Sequence, residues 1–389
     1  MLFVAGGYVV FAVMSGFAPD PTSLIVLRTL LGFTIGLSIT VVPVFIAESS
    51  PNAIRGGLLA SYQVATVIGI VFGYVIGWRL SYMESWRWML GVAAIPAAIV
   101  FLALLRVPET PQWLMMTGKE RQAKRVLTQI TRSEEYESEL TALRTSLEES
   151  KDNNSIEYLK DMFSGYLACA TIFVIALGFF IQITGINATI YYAPKIFEQM
   201  GFEGNAQQLL LPAVVQVFSL IAVIISMMVI DSYGRRKVLL SGIWVMIAAN
   251  ALLIVVYSLG GGEINGLEIL GFIGIVLFTM GYTGGFGAIV WVFAGELFPM
   301  RYRATGSSVL LTADLVANAI VAQLFPPLLE SIGGTGVFAV FGVLALIAFA
   351  VVFRWAPETK ERRLEDIQKY WENGARWESQ TASPVAPST

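Results

Sequence analysis

The chain has 389 residues, of which 56% are hydrophobic and 14% charged, with a net charge of −3. A soluble domain carries about 25% charge, so this composition excludes an ordinary soluble fold, and the small net charge gives no argument for a nucleic-acid partner. With no histidine and Cys169 as the one cysteine, His-based triads, His–metal sites, His proton relays and an internal disulfide are excluded.

Apolar runs of about 18 or more residues recur along the whole length, the signature of an all-α, polytopic membrane protein. About ten spans are predicted, at 1–17, 23–46, 57–78, 86–105, 164–192, 208–230, 238–258, 267–294, 304–327 and 336–354. The first has no basic n-region and further spans follow, so it reads as a membrane helix rather than a signal peptide. The connections near 18–22, 259–266 and 328–335 hold no Lys or Arg, and the two others on that side hold only Arg79, Arg87 and Lys195. Arg28 lies inside a span, so 25 − 4 = 21 basic residues face the opposite side. The positive-inside rule makes that side cytoplasmic, or its topological equivalent, and places both ends there. The expected organisation is an N-terminal bundle (1–105), a cytoplasmic linker with short amphipathic helices (106–163), a C-terminal bundle (164–355) and a largely disordered tail (356–389). The linker reads either as a solvated connection or, by analogy with the fold that the motifs below resemble, as a latch touching both bundles.

Within the spans, Gly32 and Gly36, and Gly69, Gly73 and Gly77, recur every fourth residue, a spacing that predicts close helix packing. Gly281-Tyr-Thr-Gly-Gly-Phe-Gly287 lies mid-span with no preceding strand, so it is not a phosphate loop. It is a candidate soft point where a helix bends. Gln216 and Asn250 are expected to tie helices together.

A short pattern occurs twice, each time after an apolar run. Glu48-Ser-Ser-Pro-Asn-Ala-Ile-Arg55 and Glu296-Leu-Phe-Pro-Met-Arg-Tyr-Arg303 both read E-x-x-P-x-x-x-R, with 296 − 48 = 248 = 303 − 55. Pro108-Glu-Thr110 and Pro357-Glu-Thr359 repeat at 357 − 108 = 249. Two homologous halves in a hydrophobic chain point to a transporter. If the second half opens near Ser164, the first is expected to be short by roughly 80 residues, or about two membrane helices.

Two stretches carry chemistry. In Asp231-Ser-Tyr-Gly-Arg235-Arg236 a glycine turns the chain tightly between spans. Together with Glu48, Arg55, Glu296 and Arg303 it supplies a charge network that can hold helices in one conformation and release them in another. In Gly178 to Pro194 a Gly-interrupted membrane helix presents Gln182, Thr184, Asn187, Tyr191 and Tyr192 at near-helical spacing. Amides donate and accept hydrogen bonds, and aromatic faces cover apolar C–H groups. That chemistry suits a neutral polyhydroxylated ligand. No nucleophile–base pair or metal set is visible, so an enzyme is not expected.

These motifs, with Leu27-Arg28, Pro43 to Glu48, Pro108 to Leu114, Trp291 to Arg303 and Pro357 to Lys360, resemble the sugar porter family of the major facilitator superfamily, up to about residue 370. The resemblance implies that family's twelve-helix fold without its first two helices. It implies two pseudo-symmetric six-helix bundles, the first truncated, and transport by alternating access without a cofactor. By the same resemblance Gln63, Gln182 and Asn187 are sugar-binding amides and Trp291 lines the sugar. Tyr191 and Tyr192 help close an outer gate, and Arg28 resembles an arginine that faces an acid in proton-coupled members. The sequence departs from the family at Ile181, where a double Gln is usual, at Gln112 and at Ser219. The usual Asn-Trp pair is Asp314-Leu315, with Asn318 kept. Ser219, Asp314 and Asn318 complete the candidate substrate set.

Asp314 falls mid-span, where a carboxylate is expensive unless protonated, paired or wetted. It reads either as a polar cavity residue in place of Asn or, with Arg28, as a candidate for proton coupling. The expected function is transport of a hexose or related sugar or polyol, facilitative or proton-coupled. A non-transporting nutrient sensor and a transporter of another small polar solute are the alternatives. The expected partners are that small solute and the lipid bilayer.

Overall fold

The structure, a computed structural model, describes residues 1–50, 55–83, 85–130, 136–137, 140–141, 155–202, 204–260, 266–298, 302–360 and 364–377. Among them regular structure is entirely helical. The chain divides into two compact units, Met1–Asn153 and Asn154–Thr389.

The first unit is built on α1 (Leu2–Gly16), which packs on α2 (Pro21–Ser49), α4 (Trp86–Gly91) and α5 (Ala94–Leu104). Small residues permit that approach. A Cβ at Gly16 would lie 3.1 Å from the Arg87 carbonyl, and one at Gly7 would lie 2.9 Å from the Thr34 methyl. The α1–α2 connection is fixed by a capping box, in which Asp20 accepts from the Ser23 amide at 2.9 Å. This exposed bond holds the Asp20 carboxyl below the usual carboxylate range. α3 (Arg55–Ser81) carries the glycines at 69, 73 and 77. A Cβ built at any of them, or at Gly32 or Gly36 on α2, meets nothing within 4 Å. The expected small-residue packing is therefore not made by these glycines among the described residues. The spans of this unit stay open, with only 6–11% of their apolar stretches buried. Beyond them, α6 (Pro111–Met116) and α7 (Glu120–Ile130) form a small satellite around Leu114, Ala123 and Val126. Thr110 caps α6 by accepting from the Trp113 amide at 3.3 Å.

The second unit runs from α8 (Ser155–Met162) through α9 (Gly165–Ile183), α10 (Ile186–Tyr191), α11 (Ala193–Gln199), α12 (Asn205–Tyr233), α13 (Arg235–Ser258), α14 (Leu267–Tyr282), a π-helical turn at Thr283–Gly287, α15 (Ala288–Glu296), α16 (Arg303–Trp355) and α17 (Leu364–Glu372). Its packing centres on α9 against α16 and on α13 against α14 and α16. Buried fractions of its apolar stretches reach 33–56%. Where α13 crosses the Gly281–Gly287 run, a Cβ at Gly242 would lie 2.5 Å from both the Gly281 carbonyl and the Gly285 Cα. The predicted soft point is a π-helical turn, and Ser226 of α12 donates to the Gly284 carbonyl there at 2.7 Å. An extra residue in a helical turn loosens its carbonyl ladder, and a hydroxyl from a neighbour satisfies the carbonyl it frees. Asn250 does not tie two helices in this way. Its amide donates at 2.9 Å to the Met246 carbonyl one turn back on α13.

Among the described residues, eight helices are long and apolar enough to cross a membrane. α16 accounts for two of the predicted spans. Its 53 residues would extend about 80 Å, far beyond the ~30 Å hydrocarbon core, and Gly333 breaks it at φ 66°, ψ 179°. α1, at 15 residues, covers about 22 Å and falls short of that thickness. Counting α1 and both halves of α16, the ten predicted spans are all helical. The tail differs from expectation. Ile367, Tyr370 and Trp371 of α17 recur at helical spacing and are buried in the same core as Phe173. The Trp371 and Phe173 rings lie 5.7 Å apart. Residues 378–389 lie outside the described residues.

Candidate functional site

The stretch singled out by its amides folds as two helices joined at a glycine. α9 ends at Ile183, and Gly185 takes φ 97°, which only glycine adopts without strain. A Cβ there would also lie 2.4 Å from the Phe341 ring. The break lets Asn187, five residues after Gln182, turn back over it. Gly178 sets the separation of the helices. A Cβ at this position would lie 2.6 Å from the Leu310 carbonyl, so α9 and α16 touch backbone to backbone. One turn further along each helix, Gln182 meets Asp314.

Five side chains then form one hydrogen-bonded chain. Gln182 donates through Nε2 to Asp314 Oδ1 at 2.8 Å. Asn187 Nδ2 donates to Gln182 Oε1 at 2.8 Å and to Asn318 Oδ1 at 3.2 Å. Asn318 Nδ2 donates to the Tyr191 hydroxyl oxygen at 3.4 Å. The chain runs from the buried end, where Gln182 and Asp314 are 6% and 7% exposed, to Tyr191, which is 54% exposed. Such a gradient suits recognition: the inner groups are fixed by one another, while the outer ones keep donors and acceptors for a ligand.

The other predicted site residues are placed differently. Tyr192 faces away from its neighbour. Its hydroxyl donates to the Ala322 carbonyl at 3.2 Å, and its ring stacks on Phe325 at 5.0 Å. Ser219 is buried and donates back to Val215 of its own helix at 3.2 Å, outside the polar chain. Trp291 on α15 is exposed. Gln63 lies half-buried on α3 in the first unit, and Arg28 is exposed on α2 without an ion-pair partner among the described residues.

The charge network is resolved in part. Arg235 pairs with Glu296 at 3.6 Å, and Thr359 donates to the other Glu296 oxygen. Arg236 donates to the Phe353 carbonyl. Arg303 donates through Nε to the Phe298 carbonyl at 3.2 Å, so its described bond closes a turn of backbone rather than a carboxylate pair. Glu48 is half-buried at the end of α2, while the side chains of Arg55 and Asp231 lie outside the described residues. Glu358 was missed as a member. Its Oε1 accepts from the Arg235 amide at 3.0 Å and the Lys360 amide at 3.1 Å. A carboxylate at the start of α13 satisfies orphan amides and complements the helix dipole. It also fills the space beside Gly234, whose φ is 97° and whose added Cβ would lie 2.6 Å from Glu358 Oε2. The repeated Pro-Glu-Thr motif was the available signal.

Comparison with known proteins gives the same direction. Residues 1–371 match the family described as Sugar (and other) transporter. The chain is 31% identical over 376 residues to the arabinose-proton symporter of Bacillus subtilis, covering 94% of this chain and 78% of that protein. It is 30% identical over 377 residues to the galactose-proton symporter of Escherichia coli, with coverage of 95% and 78%. The inward-open structure of the xylose transporter XylE from E. coli superposes with a TM-score of 0.79 at 23% identity, over 95% of this chain and 82% of that one. A buried amide chain leading to an exposed tyrosine, in a sequence that repeats the E-x-x-P-x-x-x-R pattern, agrees with these likenesses. The chain therefore belongs to the Sugar (and other) transporter family and has the major facilitator fold, an integral multi-pass membrane transport protein rather than an enzyme.

Proposed function

We propose that the chain carries a hexose, or a related sugar or polyol, across a membrane by alternating access, driven by the solute's own gradient or by protons. The observation that carries this reading is the chain Asp314–Gln182–Asn187–Asn318–Tyr191, which is polar and leads from a buried end to an exposed one. Hydroxyl-rich neutral ligands exchange donors and acceptors with amides, and no Lys or Arg belongs to the chain. In this reading Gln182, Asn187, Asn318 and Asp314 hold the sugar, with Trp291 and Ser219 contributing from other helices of the second unit; Gln63 of the first unit is a sugar contact by the resemblance alone. Tyr191 and Tyr192 act at the gate, Tyr191 through its hydroxyl and Tyr192 as the packed hinge behind it. Glu48, Arg55, Asp231, Arg235, Arg236, Glu296 and Arg303 form the network that makes and breaks as the bundles rock.

The relatives named above are described as carrying arabinose, galactose and xylose, which sets the test panel. The purified chain in proteoliposomes is expected to take up at least one of labelled L-arabinose, D-galactose, D-xylose or a polyol, with and without an inward proton gradient. Binding without uptake of any of them would favour a sensor. Neither binding nor uptake would overturn the reading.

A further inference from the structure

Asp314 is the one charged residue of α16 between Arg303 and Glu330. Its buried carboxyl accepts from Gln182, and no Lys or Arg among the described residues pairs with it. The elements packed on α16 bring few other titratable groups near. α9 holds no charged residue, α10 ends in Tyr191, and Tyr282 of α14 comes within electrostatic reach of Asp314 and Tyr191. The charged residues of α8, α13 and α15 (Glu157, Lys160, Asp161, Arg235, Arg236, Lys237 and Glu296) lie toward the rim that holds Arg303, 314 − 303 = 11 residues and about 16 Å along the helix. The Lys195–Glu330 pair, 3.2 Å long, lies at the other end, 330 − 314 = 16 residues or about 24 Å away. A carboxylate so isolated at membrane depth is costly until it gains a proton or a cation.

We propose that Asp314 is a proton-binding site whose protonation reverses the hydrogen-bond polarity of the chain Gln182–Asn187–Asn318–Tyr191, so that proton and sugar binding are coupled within the second unit. The proposal rests on the reading of this chain as the sugar site. In the ionised state each partner is fixed in one sense: Gln182 gives its amide hydrogen to Asp314 and receives one from Asn187. When one proton from the aqueous side binds the carboxylate, the new O–H donates to Gln182 Oε1. The Gln182 amide turns over and its Nε2 donates to Asn187 Oδ1. Asn187 turns over in its place, so that its Oδ1 also accepts from Asn318 Nδ2, Asn318 Oδ1 accepts from the Tyr191 hydroxyl, and Asn187 Nδ2, which held Gln182 and Asn318 before, is freed to donate to a sugar hydroxyl oxygen. One proton is taken up, one O–H bond forms, and no other covalent bond changes. The protonated site therefore binds sugar more tightly, and by reciprocity bound sugar draws a proton onto Asp314.

The test uses the full chain in lipid nanodiscs, with D-xylose and D-galactose as probes. Infrared difference spectra over roughly pH 4 to 9 are expected to show a protonated-carboxyl band in the wild type that disappears as pH rises. The band persists in Asp314→Glu and is absent from Asp314→Asn. Sugar shifts its midpoint upward and takes protons from a weakly buffered medium. Sugar affinity of the wild type falls about tenfold across the titration, within the usual range of site-to-site coupling, and stays flat in Asp314→Asn. Proton uptake on sugar binding by the wild type needs no variant, so a misfolded variant leaves the test intact. Sugar that binds without a titrating band or proton uptake overturns the coupling alone. A band that titrates while no sugar binds at any pH overturns the sugar-site reading, and the coupling with it.

Discussion

A Cβ added at Gly69, Gly73 or Gly77 in the first unit meets nothing within 4 Å, whereas one added at Gly242 or Gly178 in the second would lie 2.5 or 2.6 Å from a backbone oxygen of another helix. Both units offer small residues on apolar helices, and among the described residues only the second uses those of its long spans to bring backbones together. Small-residue spacing therefore permits close approach without producing it; a partner helix with its own small face is also needed. The consequence is functional. The Gly178–Leu310 contact fixes the helix separation that lets Gln182 reach Asp314. In the first unit the described residues give Gln63 no comparable frame on α3.

The largest difference is expected between Gly242→Ala and Gly73→Ala. At 242 the new methyl meets backbone that cannot rotate away, which costs about 1–3 kcal/mol or more. At 73 it meets open space, and alanine gains up to about 1 kcal/mol of helix propensity. Thermal unfolding of the two variants in detergent checks this, and equal shifts would break the comparison.

A second contrast sharpens it. Gln182→Leu strands both the Asp314 carboxyl and an Asn187 amide, each unsatisfied group costing about 1–3 kcal/mol. Both stability and sugar affinity are expected to fall, the latter by more than about tenfold. Gln63→Leu is expected to leave the melting temperature unchanged and to act on sugar binding alone. Calorimetry paired with sugar binding separates the two.

The twin Pro-Glu-Thr motifs give a third. Glu358→Ala removes the acceptor for the Arg235 and Lys360 amides and is expected to cost about 1 kcal/mol, as for a lost helix cap. Glu109→Ala, at an exposed position, is expected to stay within about 0.5 kcal/mol. Denaturant midpoints decide; a larger loss at Glu109 would show that the motif does the same work in both units.

The smallest effect concerns pH. The Asp20 carboxyl is held low by the Ser23 amide, so the ionised form is the one the fold prefers. Its contribution is present above the unfolded carboxylate value and is lost as pH falls through the lowered folded value. Hydrogen exchange at the Ser23 amide is expected to quicken on that acidic limb, while the Trp113 amide, capped by neutral Thr110, is expected to show no such step.

Much of the molecule was legible in the chain. Hydropathy placed the helical spans, and the glycine interruption in the Gly178–Pro194 stretch marked a broken helix; the close packing at Gly178 shows only in the structure. The resemblance marks the amides at 182, 187 and 318 as substrate contacts and the tyrosine at 191 as a gate, and in the structure all four are joined by hydrogen bonds. Glu358 escaped because a motif used as a repeat landmark carried no hint of what it caps. The tail escaped because its apolar residues are few, and their spacing has meaning only once α17 lies against Phe173. Tyr191 and Tyr192 looked equivalent in sequence, yet a helix end turns adjacent side chains about 100° apart, and only one of them reaches Asn318.

The sequence by itself determined a helical membrane protein with about ten crossings, two related halves and a polar, amide-rich stretch, because span length, hydropathy and repeat spacing are properties of the local chain. Tertiary structure alone decided that Asp314 answers Gln182 from 132 residues away, and that one unit packs its long spans tightly while the other leaves Gly32, Gly36, Gly69, Gly73 and Gly77 uncovered. Those outcomes depend on the separation and rotation of helices, and these are set by which backbones can touch.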